Sequence, residues 1–191
     1  MLQILCVVAS LGLLVAGANL GQGPTPQTVA APPPSAAPAA NPADVASPDA
    51  IIAATYQVIS GPASQTRDWN RMRSLFHPSA RLIRTAPQEG GGMTATSFTL
   101  EEYIERASGY FMKNGFWEKE TARRTEQWSN IFEAFSTYES RHDAKDAAPF
   151  ARGINSFQLF FDGKRWCVLT IYWQEETPNN PLPAEFLPHS K

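Results

Sequence analysis

The apolar residues of this chain change period once, after Gly115, and that change dictates the architecture. Ahead of it the spacing is helical. Ser47-Pro48-Asp49 joins a capping side chain, a proline suited to the first helical position and an acid for the first turn. Ile51, Ile52, Thr55, Val58 and Ile59 then recur on one face until Gly61-Pro62 stops the run. A second helix from about Thr66 carries Trp69, Met72, Leu75 and Phe76, and ends at His77-Pro78 because the residue before a proline avoids helical geometry. Arg81 to Thr85 reads as a short strand and Glu89 to Gly92 as a loop. Thr99 to Glu102 has the form of a capping box opening a third helix, with a stripe of Leu100, Tyr103, Ile104, Ala107 and Phe111. Beyond Gly115 the spacing alternates: Phe116 to Gln127, Ile131 to Arg141, Ile154 to Phe161 and Arg165 to Gln174 are strands, the last two joined by Asp162-Gly163. The expected class is α+β, with a curved antiparallel sheet wrapped around three N-terminal helices packed on one face. Aromatics fall on both parities of the late strands, at Phe157, Phe160, Phe161, Trp166, Tyr172 and Trp173. The concave face closes on the helices; the convex face calls for a partner, most simply a second copy, so a homodimer through the outer sheet face is expected.

The ends of the chain read differently. Leu2 to Ala16 is an apolar run of signal-peptide length followed by Ala16-Gly17-Ala18, which places a signal peptide at 1–18 and the mature protein in the periplasm or outside the cell. The run is short for a bilayer span, so no membrane span is expected after cleavage, and Cys6 departs with the leader. Residues 19–47 are rich in Pro and Ala, lack large apolar side chains, and read as an extended, solvated linker. The folded domain is expected at 48–177, followed by a Pro-rich tail at 178–191 whose Leu182, Phe186 and Leu187 are apolar enough to dock on the barrel edge or the dimer seam.

Composition removes several functions. With 16 basic against 18 acidic side chains and a net charge of -2, the chain has no basic footprint for nucleic acid. Two cysteines, Cys6 and Cys167, make neither a disulfide framework nor a thiolate zinc site, and His77, His142 and His189 lack ligand spacing, so no metal and no cofactor is expected. Gly90 to Gly92 lacks the Lys-Ser/Thr of a phosphate loop, and no nucleophile elbow is present.

The order of elements, together with Trp69 to Leu82, the strand Phe135 to Arg141 and the hairpin Arg152 to Trp166, resembles the nuclear transport factor 2-like superfamily, and within it the SnoaL-like exported bacterial proteins. The resemblance implies a cone-shaped α+β barrel, a pocket between helices and sheet, and often a homodimer through the sheet's outer face. Its relatives include ketosteroid isomerase, scytalone dehydratase and polyketide cyclases beside many binders, so fold does not decide function. Ketosteroid isomerase-like members hold an oxyanion with a tyrosine and an acid and use a carboxylate base. By that resemblance Tyr56 falls at the tyrosine, Asn155 at the late-strand acid, and Arg84 at the base. A guanidinium cannot abstract a proton at any useful pH.

Tyr56, Arg84, Tyr138 and Asn155 are therefore the expected ligand-binding residues. Each also has a structural reading: a core-edge phenol, a surface strand charge, a packing tyrosine and an amide satisfying backbone. The catalytic residues are open, with His77 the one candidate, which would otherwise cap a helix end. Glu118, Glu120, Arg123, Arg124 and Glu126 read as a solvated face of paired charges, although one inward carboxylate among them would supply an acid–base group. Three functions follow: binding a small, largely apolar molecule in the cone; a cofactor-free lyase, isomerase or hydrolase; or an interaction module with a filled core.

Overall fold

The computed structural model describes residues 38–188; the expected leader, the linker up to residue 37 and His189 lie outside the described residues. Four helices and six strands follow in order: α1 Pro42–Val45, α2 Pro48–Ile59, α3 Trp69–Leu75, β1 Phe76–Pro87, β2 Met93–Phe98, α4 Leu100–Lys113, β3 Trp117–Trp128, β4 Ile131–Arg141, β5 Ala151–Phe161 and β6 Trp166–Glu175. A 3-10 turn at Ala184–Phe186 ends the described chain. The strands form one curved, unclosed sheet in the order β2-β1-β6-β5-β4-β3. The expected α+β class with a curved sheet around the helices is present; all pairings are antiparallel as expected except β1 with β6, which is parallel, and the sheet is open between β2 and β3.

Local chemistry explains the helices. The Ser47 hydroxyl accepts from the Ala50 amide at 3.1 Å and opens α2. The Thr99 and Glu102 side chains satisfy each other's backbone amides at the start of α4, as a capping box does. Helix α3 is shorter than the sequence suggests: the Asp68 side chain caps it, and the chain turns extended at Phe76, so His77 and Pro78 belong to β1. Helix α1 occupies residues assigned by composition to the linker. Its Asp44 makes a two-pronged bond to Arg71, at 2.8 and 2.9 Å, and Val45 is buried.

The core lies between the helices and the concave face. Ile51, Ile52, Met72 and Leu75 from the helices meet Phe157, Leu159 and Val168 from the sheet, all at 1% exposure or less. Strand β4 shows the alternation: Phe132, Ala134, Ser136, Tyr138 and Ser140 point inward and are buried, whereas Ile131 and Phe135 point outward and are exposed. Thr137 points outward yet is buried, because the C-terminal segment lies over it. The Thr137 hydroxyl donates to the Phe186 carbonyl at 2.6 Å, and the Phe186 ring packs edge-on against Phe135. Arg67, ahead of α3, is also buried without a carboxylate partner: its guanidinium donates to the carbonyls of Ile59, Gly61, Pro62 and Gln65 and covers the Phe111 ring. Among the described residues no helix is long and apolar enough to cross a membrane.

Candidate functional site

Inward residues of the sheet, α2 and α4 enclose a cavity of about 530 Å³, within the range of small-molecule sites, so side chains do not fill the cone. Its wall is mostly aromatic and aliphatic. Charged groups appear at two levels. Arg84 and Glu175, both about half exposed and 3.9 Å apart, stand at the rim, whereas Glu118 sits in the wall.

Strand register places Glu118. On β3 it lies opposite Ser140 of β4, with both side chains on the concave face. The Ser140 hydroxyl donates to one carboxylate oxygen at 2.8 Å, and Asn155 Nδ2 donates to the other at 3.3 Å. Burial in the apolar wall pushes the Glu118 carboxyl up to about 7; those two hydrogen bonds offset part of the rise, and the charge of Glu175 adds to it. Burial thus favours the protonated form of a carboxyl set in a mostly apolar lining, which also carries Asn155, Arg84 and Arg106.

Four phenols line the same cavity, of which Tyr110 is the most exposed. Tyr56 Oη accepts from Asn155 Nδ2 at 3.1 Å and lies 2.6 Å from Ser136 Oγ. Tyr103 of α4 and Tyr138 of β4 line the wall, and neither hydroxyl makes a hydrogen bond with another described residue. Burial and then the Glu118 charge raise the pKa of both, so they stay protonated and available as donors. The Tyr138 ring comes close to the backbone at Gly153, where a Cβ would lie 2.6 Å from its hydroxyl, so only glycine fits there.

The structure brings Tyr56, Tyr138 and Asn155 together on one wall and puts Arg84 at the rim. His77 is elsewhere: its ring pairs with the Ser79 hydroxyl and packs edge-on against Phe160, and it does not line the cavity. The reading of Glu118 and Glu120 as part of a solvated face is corrected, since both pack against partners on β4. Tyr103 was legible only as a helix-stripe residue, and Ser140 only as a member of a strand. Among the described residues no cluster of three or more His, Cys, Asp or Glu side chains is placed to hold a metal ion.

No protein-family model matches the sequence, and no curated protein matches it significantly. Solved structures do. The chain is similar to a provisionally assigned calcium/calmodulin-dependent protein kinase type II association domain from Thiobacillus denitrificans, with 11% identity, a TM-score of 0.51, and coverage of 72% of this chain and 96% of that one. It is also similar to a nuclear transport factor 2-like protein of unknown function from Silicibacter pomeroyi, at 11% identity, a TM-score of 0.47, and coverage of 69% and 94%. A provisionally assigned ketosteroid isomerase from Parabacteroides distasonis follows, at 12% identity, a TM-score of 0.46, and coverage of 69% and 89%. At these identities the likeness concerns fold alone: helices packed against a curved, unclosed sheet.

Proposed function

We propose that the protein is a cofactor-free acid–base enzyme that binds a small, largely apolar molecule in its cone and transfers a proton through Glu118. One observation carries this reading: the Glu118 carboxyl is set into an apolar cavity wall and held there by Ser140 and Asn155. The Tyr103 and Tyr138 hydroxyls, which make no hydrogen bond with another described residue, would polarise a ligand oxygen while Glu118 takes or gives a proton nearby, the division of labour needed for isomerase, lyase or hydrolase chemistry. The absence of a carboxylate at position 84 does not remove the base; it moves to β3.

The test uses 2-tetralone, a bicyclic ketone of suitable size, in D2O near pH 7. Deuterium uptake beside its carbonyl should depend on the protein, and Glu118→Gln should slow it by about 100-fold or more. Exchange no faster than buffer, together with no small molecule retained by the purified protein in native mass spectrometry, would refute the reading. Retention of a ligand without exchange would support the passive-binder alternative, for which the Arg84 guanidinium at the rim offers a contact for an anionic group. Export and a homodimer through the outer face belong to the same proposal. The exposed Trp128, Ile131, Phe135 and Tyr172 support the second, and N-terminal sequencing of the mature protein and its mass in solution test the two in turn.

A further inference from the structure

We propose that Glu120, which does not line the cone, is its second proton-transfer group and reaches the ligand through the hydroxyls of Ser136 and Tyr56. This rests on the acid–base reading above and adds to it a second site of proton exchange.

The hydrogen bonds fix the direction of the chain. A carboxylate only accepts, so the single Ser136 proton is committed to Glu120 Oε1, at 2.5 Å. The 2.6 Å contact between Tyr56 and Ser136 must then be donated by Tyr56. The Tyr56 oxygen receives one N–H from Asn155 and has a second lone pair left to accept with, and the residue lines the cavity. The phenol therefore meets a ligand as an acceptor, unlike Tyr103 and Tyr138.

Proton transfer along this path balances. The Tyr56 oxygen takes a proton from a ligand C–H or O–H bond, whose electron pair stays on the ligand. The original Tyr56 proton passes to the Ser136 oxygen, and the original Ser136 proton passes to Glu120, which becomes a carboxylic acid. Tyr56 and Ser136 end as they began, neutral hydroxyls. Burial, and then the charges of Glu118 and Glu120, hold the Tyr56 phenol far above its ordinary range, so a free phenolate is closed to it and a concerted handover is not.

The surroundings of Glu120 fix its orientation toward Ser136. Arg123 holds both its oxygens, at 2.7 and 2.6 Å, and is itself paired with Asp49 of α2. Tyr138 lies opposite on β4, and Glu118 lies two positions back on the same strand. A second recess of about 410 Å³, lined by Tyr56, Gln57, Ser60, Glu118, Lys119 and Glu120, opens beside the relay and gives its carboxyl groups a way to water. Two carboxyl groups thus serve one cavity, one directly and one by relay, which suits a reaction that removes one proton and delivers another, such as an isomerisation or an elimination.

The test follows 2-tetralone exchange from pH 5 to 9. Ser136→Ala and Glu120→Gln should each slow exchange by about tenfold or more, whereas Ser136→Thr, which keeps the hydroxyl, should preserve the rate. A profile unchanged in Ser136→Ala and Glu120→Gln, with Glu118→Gln still inactive, overturns the relay alone. Exchange indifferent to all of these variants overturns the acid–base reading with it. Proton NMR supplies a readout independent of turnover. A downfield hydroxyl resonance, assigned by its loss in Tyr56→Phe, should disappear in Ser136→Ala and persist in Ser136→Thr; persistence in Ser136→Ala refutes the relay.

Discussion

Replacing Glu118 with glutamine should flatten the dependence of stability on pH, by an amount the structure allows one to work out. In the folded protein the carboxyl titrates near 7, against an ordinary value of 4.5. Between those pH values the folded protein keeps a proton that the unfolded chain releases. Stability from this group is therefore fully present below pH 4.5, falls by about 1.4 kcal/mol per pH unit up to pH 7, and is level beyond. The total is roughly 3 kcal/mol. Glutamine cannot ionise and escapes this loss. Its amide oxygen can keep the Asn155 bond, and the Ser140 hydroxyl can rotate to accept from its amide nitrogen. The variant should therefore gain roughly 3 kcal/mol on the wild type as the pH rises from 4.5 to 8, whatever their difference at the acid end. Urea unfolding followed by tryptophan fluorescence, repeated across that range, measures the change. A difference that moved by less than about 0.5 kcal/mol, the scale of an ordinary surface substitution, would mean that Glu118 charges freely and that the cavity wall does not desolvate it.

Two further substitutions probe the frame around the site. Arg67→Met should destabilise the fold by about 3 kcal/mol or more, because it leaves four carbonyls without their charged donor; a loss under about 1 kcal/mol in urea unfolding would contradict the burial of that network. Deleting residues from Pro178 onward removes the Thr137–Phe186 hydrogen bond, the Phe135–Phe186 ring contact and the Arg124 stacking on Phe186, together about 2 kcal/mol, and should lower the melting temperature by about 4–8 °C. An unchanged melt would reject docking of the tail.

Features set by contiguous residues were legible before any coordinates. Helix α4 was readable because Thr99 and Glu102 cap it and its stripe is unbroken, and β4 was readable to the residue because nothing interrupts its alternation. Features set by distant partners were not. Helix α1 has four residues and is held by the Asp44–Arg71 pair, so composition alone pointed to a tether. Strand β2 is an edge strand, exposed along nearly its whole length, and offers no alternation to read. The parallel pairing of β1 with β6 leaves no local trace. At the site, Tyr56, Tyr138 and Asn155 could be named from the resemblance. Glu118 could not be separated from its charged neighbours, because the irregularity between Glu120 and Ala122 shifts the parity of β3 midway.

That parallel pairing has a consequence for how the protein is made. Strand β1 can pair with β2 early, but it gains its second neighbour and joins the rest of the sheet only when β6 exists; the Thr85 hydroxyl reaches the Trp173 carbonyl across 88 residues. While a ribosome is still adding β3 to β5, the apolar faces of α2 and α3 have no completed wall to rest on, and the first half of the chain waits with its hydrophobic residues uncovered. Refolding should accordingly be slow for a domain of this size, and translation that stalls before residue 166 should yield a product that aggregates rather than a smaller working cone.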